Sequence, residues 1–206
     1  MEIRLVSMHG LHEALFGLGL SHSVTSDIDS VRGPTAEARI RERVLRVAEK
    51  LAGAGGGEDK FLRQIQLWYD VRAPRFMWQE IDTYRVGTCT QSESTMHTLH
   101  KVEKIDNSLF EFNLPPFLLG TLQSMLERYK ETKDIVDLLI LKNALPEGFL
   151  QRRIWNINMA VAKNIVRQRR RHRLPQWRQI CRRLVDDCPG FLSAAFPPED
   201  ADGRAE

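Results

Sequence analysis

The chain has 206 residues, of which 42% are apolar and 28% charged, enough for one globular domain with a substantial core or for two small ones. Three cysteines exclude a disulfide framework or a zinc cage. The net charge is only +3, but the segment from Gln151 to Arg183 holds 11 basic residues and no acidic one, which favours an anionic partner. The few, scattered cysteines favour a reducing cytoplasm. We expect neither a signal peptide nor a membrane span, and no association with a membrane.

The first half of the chain alternates between strand and helix patterns. Alternation from Glu2 to Ser7 predicts a short strand, and residues Gly10 to Leu20 predict a short buried helix. An apolar stripe predicts a helix from Pro34 to about Leu51. The strongest strand is predicted from Gln64 to Ala73, and a helix from about Arg75 to Tyr84 follows it.

The second half is predicted to be helical, and residues 1–190 are expected to form one domain before a polar tail, 191–206. On an ideal helix, Asn158 and Arg169 would lie only about 20° apart and share a face. Four helices are predicted here: Leu114 to Lys130, Ile135 to Lys142, a basic helix from Phe149 to Arg171, and Gln176 to Val185.

The segment from Asp82 to His100 is dense in small hydroxyl residues around one carboxylate, Glu93. Such a run cannot build a core, but it offers many hydrogen-bonding groups to a polar ligand with phosphates and a base. The alternative is an ordinary solvated loop. The hydroxyl residues are Thr88, Thr90, Ser92, Ser94, Thr95 and Thr98.

The residues from Arg85 to His97, R-V-G-T-C-T-Q-S-E-S-T-M-H, resemble the signature R-H-R-x-x-S-x-N-E-x-S-x-R of the flavin-dependent thymidylate synthases. The first Arg and the Glu match. Thr90 and Thr95 stand for serines and Ser92 for Asn, whereas Val86, Gly87 and His97 depart from the pattern.

A second resemblance to this family lies in the C-terminal half, in the expected order. The Arg of this second pattern falls at Arg169. Arg170 is an alternative to it, because the stretch from Arg169 to Gln176 is one residue longer than in the family. Together with Y-D-V-R-A-P-R-F, which resembles the segment before the signature, the likeness covers about Tyr69 to Pro189. The matching residues are Leu145-Pro146, Trp155-x-x-Asn158, Arg169 and Gln176-Trp177.

The resemblance implies an α/β fold, a single domain with a curved central sheet flanked by helices. It implies methylation of carbon 5 of UMP or dUMP, with methylene-tetrahydrofolate as carbon donor, reduced FAD as hydride source and NADPH as reductant. It also implies a homotetramer with sites shared between subunits. Because it departs from the signature, the chain looks similar to the branch of the family that methylates UMP in polyoxin-type nucleoside-antibiotic pathways.

The resemblance also implies roles for individual residues. Arg169 would lie at the uracil edge and favour loss of its ring-nitrogen proton, because a fixed cation stabilises a developing anion. Lys142 falls where the family has a phosphate-binding Arg. The residues implied at the nucleotide are Asp82, Arg85, Glu93, Ser94, Thr95, Met96, His97, Lys142 and Arg169.

At the flavin, Ala160 replaces an Arg of the family, and two of the three R-H-R residues are lost. FAD would therefore bind more weakly, or nearby arginines would compensate. The residues implied at the flavin are Arg85, Val86, Gly87, Glu93, Asn158 and Asn164.

Other interpretations of these residues stay open. Asn158 is about equally well explained as a capping or core amide. Cys89 has no activating neighbours and is interpreted as a buried small residue, not a nucleophile. His97 and His100 lack a third ligand, so no metal is expected.

Two other functions compete with the methylase. One is a non-enzymatic nucleotide- or nucleic-acid-binding protein that uses the basic helix 151–173, although it gives no reason for Lys142, Asn158 and Arg169 to fall at family spacings. The other is a degenerate relative that binds a nucleotide without chemistry.

Overall fold

The computed structural model describes residues 1–21 and 44–193. The strands in this part are β1 (Glu2–His9), β2 (Gln66–Pro74), β3 (Thr88–Ser92) and β4 (Leu150–Asn158). They form one antiparallel sheet in the order β1-β2-β4-β3. The mixed α/β fold class is confirmed, and so are the two strands that the alternating pattern predicts.

The side chains of β2 alternate between the core and the outer face of the sheet, as its sequence predicts. Leu67, Tyr69 and Val71 are fully buried, whereas Trp68 between them is 40% exposed. β-Branched and aromatic residues favour this pleated, half-buried setting. Burial of Tyr69 also raises the pKa of its hydroxyl well above the ordinary value.

The predicted helices in both halves are found, with one exception. The helix predicted from Pro34 is helical over residues 44–52 (α2), and its beginning lies outside the described residues. No helix within residues 1–21 and 44–193 is long and apolar enough to cross a membrane. The other helices are α1 (Leu11–Leu20), α3 (Arg75–Ile81), α4 (Thr95–Thr98), α5 (Pro116–Thr132), α6 (Ile135–Ala144), α7 (Met159–Arg169) and α8 (Pro175–Asp187).

The exception is the segment from Phe149 to Arg171, for which the prediction of a single basic helix is wrong. Its first part is β4, and α7 begins only at Met159. Trp155, Ile157 and Met159 are buried at every second position, which is the period of a strand. β4 lies between β2 and β3, and pairing on both sides outweighs the helical stripe. Asn158 is therefore the N-cap of α7, and the long helix on which it would share a face with Arg169 does not form.

The chain forms two compact units. Unit 1 comprises Met1–Arg4, Asp70–Arg85 and Cys89–Trp155. In it α5 packs against α6, and apolar side chains from both helices meet those of neighbouring loops. The buried members of this cluster are Leu99, Ile105, Phe110, Leu122, Leu126, Leu138, Leu141, Leu145 and Phe149.

Unit 2 comprises Leu5–Tyr69, Val86–Thr88 and Asn156–Glu206. In it α7 packs against α8 and against the 3-10 helix Lys60–Arg63. Phe191 and Leu192 are buried after α8, although the sequence places them in a polar tail. The residues after Ser193 lie outside the described part, so the tail itself stays a prediction.

Candidate functional site

The hydroxyl-rich segment is an edge strand followed by one helical turn. β3 lies at the edge of the sheet beside β4, and α4 begins directly after Ser94. The Ser94 carbonyl accepts hydrogen bonds at 2.9 Å from the backbone N–H groups of His97 and Thr98 and from the Thr98 hydroxyl. The polar run is therefore ordered by backbone pairing, which keeps its short side chains at the rim of the sheet.

Glu93 is held by three hydrogen bonds, all within unit 1. Its Oε1 accepts from the backbone N–H of Arg152 at 3.0 Å, and its own N–H donates to the Arg152 carbonyl at 3.0 Å. Its carbonyl accepts from Nε2 of Gln151 at 3.2 Å. Oε2 has no hydrogen-bond partner among residues 1–21 and 44–193, so one carboxylate oxygen is available to a ligand.

The Asp82 carboxylate forms an ion pair with an arginine that the sequence did not identify. Arg153 Nη1 donates to both carboxylate oxygens of Asp82, at 3.1 and 3.0 Å. The Arg153 guanidinium also lies over the ring of Trp78, with Cζ 4.4 Å from the ring centroid. Asp82 therefore serves first as the counter-ion of Arg153, and its predicted contact with a nucleotide stays a prediction.

The residues of α4 differ in what they can offer to a ligand. Met96 packs against the apolar cluster of unit 1, so its predicted role is limited to its backbone. His97 is exposed, and Thr95 is half-buried. These positions can supply N–H and hydroxyl donors, as the resemblance implies, and their contact with a nucleotide stays a prediction.

Arg85 and Lys142 have no counter-ion among the residues that the structure describes. Arg85 is exposed after α3, and Lys142 is half-buried in the last turn of α6. Neither has a hydrogen-bond or ion-pair partner for its side chain in the part of the chain that the structure describes. A half-buried ammonium without a counter-ion is a ready partner for an anion.

In unit 2 the structure brings together two predicted flavin residues, Gly87 and Asn158. The Asn158 N–H donates to the Gly87 carbonyl at 3.0 Å, and Asn158 Oδ1 caps α7 by accepting from the Val161 N–H at 2.9 Å. Gly87 has φ +75°, and a Cβ there would lie 2.3 Å from Asn158 Nδ2. Asn158 is thus a helix cap, the alternative that the sequence left open. Its Nδ2 has no hydrogen-bond partner among the described residues.

Val86, Asn164 and Arg169 also belong to unit 2. Val86 is 87% exposed, and Asn164 Oδ1 accepts from Arg167 Nη2 at 3.1 Å. Arg169 ends α7 with its Cζ 5.1 Å from the ring centroid of Trp177, whereas Arg170 is exposed. The stacking orients the Arg169 guanidinium, and the choice between Arg169 and Arg170 at the uracil edge stays open.

Sequence reasoning missed the polar residues of β4, because it treated them as part of a helix. Arg152 binds Asp70 through Nε and Nη2 at 2.7 and 2.6 Å. The hydrogen bond from Arg152 holds the pKa of the Asp70 carboxyl below its ordinary value, and the charges of Arg152 and Arg4 add to this effect. The signal was present: Gln151 and Arg153 are two residues apart, the spacing of one strand face.

The cysteines divide into one exposed and two buried thiols. Cys89 is exposed on β3, so its interpretation as a buried residue is wrong, because it lies on an edge strand. Burial raises the pKa of the Cys181 and Cys188 thiols to about 12. Neither buried thiol is therefore a nucleophile at neutral pH.

The fold defined by this sheet and these helices is that of the flavin-dependent thymidylate synthases. Two crystal structures of the synthase ThyX from Helicobacter pylori, with FAD and dUMP, superpose with a TM-score of 0.69 and 16% identity. Each alignment covers 96% of this chain and 98% of the synthase.

A second protein of known structure shares the fold. The UMP/dUMP methylase PolB from Streptomyces cacaoi, bound with 5-Br UMP, superposes with a TM-score of 0.60 and 12% identity, covering 94% of this chain and 92% of that one. By sequence alone, no protein-family model and no curated protein matches the chain. The sequence resemblance is thus confirmed as a likeness of fold.

Proposed function

We propose that the protein methylates carbon 5 of a uracil nucleotide, UMP or dUMP, in a flavin-dependent reaction. Methylene-tetrahydrofolate would supply the carbon and NADPH the reducing equivalents. The active form would be a homotetramer with sites shared between subunits. The proposal combines the fold of the two neighbouring proteins, ThyX with FAD and dUMP and PolB with 5-Br UMP, with the residues of this chain at the signature positions.

The observation that supports the proposal best is the uncompensated Lys142. It is half-buried on α6, and it has no anionic partner in residues 1–21 and 44–193. In the same unit, Glu93 Oε2 accepts no hydrogen bond from the described residues, while the Glu93 backbone and Oε1 are held. A cation without a partner and a carboxylate held by one oxygen are suited to the phosphate and the base of a nucleotide.

The residues present also fit a flavin with phosphates. Because Gly87 lacks a side chain, Asn158 Nδ2 lies directly beside the loop and retains both its N–H donors. Arg85 keeps an exposed guanidinium for a phosphate. When bound, reduced FAD would supply the hydride of the reaction. Arg85, Gly87, Asn158 and Asn164 would hold it, with fewer cations than the R-H-R signature provides.

The protein's own contribution to the reaction would be binding and electrostatics. Lys142 would hold the nucleotide phosphate as a point charge. Arg169, oriented by Trp177, would stabilise negative charge on the uracil ring when the ring nitrogen loses its proton. Glu93 would fix the base relative to the flavin through Oε2.

The structure weakens the nucleic-acid alternative. That function needs a continuous basic helix over residues 151–173, whereas Arg152 and Arg153 lie in a strand and pair with Asp70 and Asp82. The positive charge of that segment is therefore partly neutralised within the protein.

The first test is the visible absorption spectrum of the purified protein, before and after incubation with FAD and gel filtration. We expect a retained flavin spectrum, and then methylation of UMP or dUMP dependent on methylene-tetrahydrofolate. Lys142→Gln should weaken nucleotide binding about tenfold or more, whereas Lys60→Gln, at an exposed lysine, should not. A colourless protein that cannot be loaded with flavin would contradict the proposal.

A further inference from the structure

A continuous chain of polar contacts in unit 1 begins at Asp82. Arg153 connects Asp82 to Gln151, since its Nε and Nη2 donate to Gln151 Oε1 at 3.2 and 3.1 Å. Gln151 then donates from Nε2 to the Glu93 carbonyl at 3.2 Å. Both ends of the chain, Asp82 and Glu93, are positions that the family resemblance implies at the nucleotide, whereas it implies no role for the two residues between them.

The middle of this chain is fixed by its surroundings. The Arg153 side chain is only 17% exposed, and it lies between the Trp78 ring and the Asp82 carboxylate. Trp78 is buried, and its Nε1 donates to the backbone carbonyl of Gln151 at 2.9 Å. Arg153 therefore has little freedom, and it holds the Gln151 amide in one orientation, with the oxygen towards Arg153 and the nitrogen towards Glu93.

We infer that Gln151 and Arg153 are positioning residues that hold Glu93 where the nucleotide binds. The inference rests on the proposed function, because it assigns the purpose of the contact chain to that site. It also gives Asp82 a different role from the one predicted. Asp82 acts through Arg153, as the anchor at the far end of the chain, and needs no direct contact with the nucleotide.

The substitution Gln151→Glu tests the link to Glu93. A glutamate keeps an oxygen that accepts from Arg153, and its charge strengthens that contact. Its second oxygen has no hydrogen to donate and repels the Glu93 carbonyl. The substitution thus breaks one hydrogen bond and keeps the other.

Gln123→Glu is the matched control in the same unit. Gln123 Oε1 accepts from the Ile105 N–H at 2.7 Å, and its Nε2 donates to Glu127 Oε1 at 2.9 Å. The same atoms are therefore changed in the same way, on α5, outside the contact chain. A general effect of the substitution on the fold would appear in both variants.

The measurement is the affinity of the flavin-loaded full chain for UMP and dUMP by calorimetry, with the melting temperature of each variant. We expect Gln151→Glu to weaken binding of the preferred nucleotide about tenfold, since a displaced Glu93 would lose about one hydrogen bond to the nucleotide. Gln123→Glu should bind like the wild type. Arg153→Lys keeps the charge beside Asp82 but loses the paired hydrogen bonds from Nε and Nη2 to Gln151 Oε1. We expect a similar loss of affinity.

Equal affinities for Gln151→Glu, Arg153→Lys and wild type would overturn the inference and leave the proposed function standing. Loss of affinity only in proportion to a fall in melting temperature, shared with Gln123→Glu, would also overturn it. A wild-type protein that takes up flavin but binds neither nucleotide overturns the proposed function and the inference together.

Discussion

Replacement of Gly87 by alanine is the sharpest test of how the loop before β3 meets α7. Gly87 has φ +75°, in the left-handed region that L side chains rarely adopt. A Cβ there would lie 2.3 Å from Asn158 Nδ2 and 3.0 Å from Val161 Cγ2. The alanine must therefore adopt a strained backbone, and it must also displace the Asn158 amide.

The expected cost is the sum of these two effects. A non-glycine residue in the left-handed region costs about 1–2 kcal/mol. Displacement of Asn158 removes the hydrogen bond that its Oδ1 accepts from the Val161 N–H, and loss of such a helix cap costs about 1 kcal/mol. We expect Gly87→Ala to lower the free energy of unfolding by about 2–3 kcal/mol.

The assay is urea unfolding followed by far-UV circular dichroism. Gly56→Ala is the matched control, because Gly56 has a similar φ of +64° with nothing within 4 Å of an added Cβ. It should lose only the backbone contribution, about 1–2 kcal/mol. Equal losses in the two variants would refute the predicted displacement of Asn158.

Three further predictions follow from other parts of the structure. Asn158→Asp retains the capping oxygen but loses Nδ2, so FAD binding measured by gel filtration should weaken with little change in the free energy of unfolding. Asn158→Ala should weaken FAD binding and also lose about 1 kcal/mol of stability, because it removes the helix cap. The pKa of Asp70 is lowered in the folded state, so its contribution to stability is present above its ordinary value of 3.8 and is lost as the pH falls through the lower folded value. Urea unfolding from pH 7 to pH 3 should therefore show the difference between wild type and Asp70→Asn shrinking in the most acidic samples; a growing difference would contradict the assignment. A thiol reagent at pH 8 should modify Cys89 alone in the native protein, because burial raises the pKa of the other two thiols to about 12. After denaturation the reagent should modify all three cysteines.

The sequence predicts elements well where the local pattern and the tertiary pairing agree. β2 combines strict alternation with β-branched and aromatic residues, and α5 begins at Pro116, with Pro115 as its N-cap, before an apolar stripe. The prediction for β4 is wrong because its sequence fits both a helical and a strand period. Only the neighbours β2 and β3, which are far away along the chain, decide between them. A pattern confined to one window cannot contain that information.

The same limit applies to the candidate site. Glu93 stands out in the sequence as the carboxylate of a signature, but its partners belong to β4, 58 and 59 residues further along the chain. Arg153 binds Asp82 across 71 residues. Family spacing identifies which residues would touch a ligand, whereas the residues that orient them depend on strand pairing. These are the residues that the sequence did not reveal.

The departure from the R-H-R signature is coupled to the retained Asn158. Any side chain at position 87 would occupy the space of the Asn158 amide, which lies 2.3 Å from the position of a Cβ. Asn158 in turn caps α7 and donates its backbone N–H to the Gly87 carbonyl. An arginine at 87 is therefore incompatible with the present position of Asn158. In this chain an amide donor and a bare backbone stand where the signature has a guanidinium. A ligand bound here would be recognised more by hydrogen bonds and less by charge.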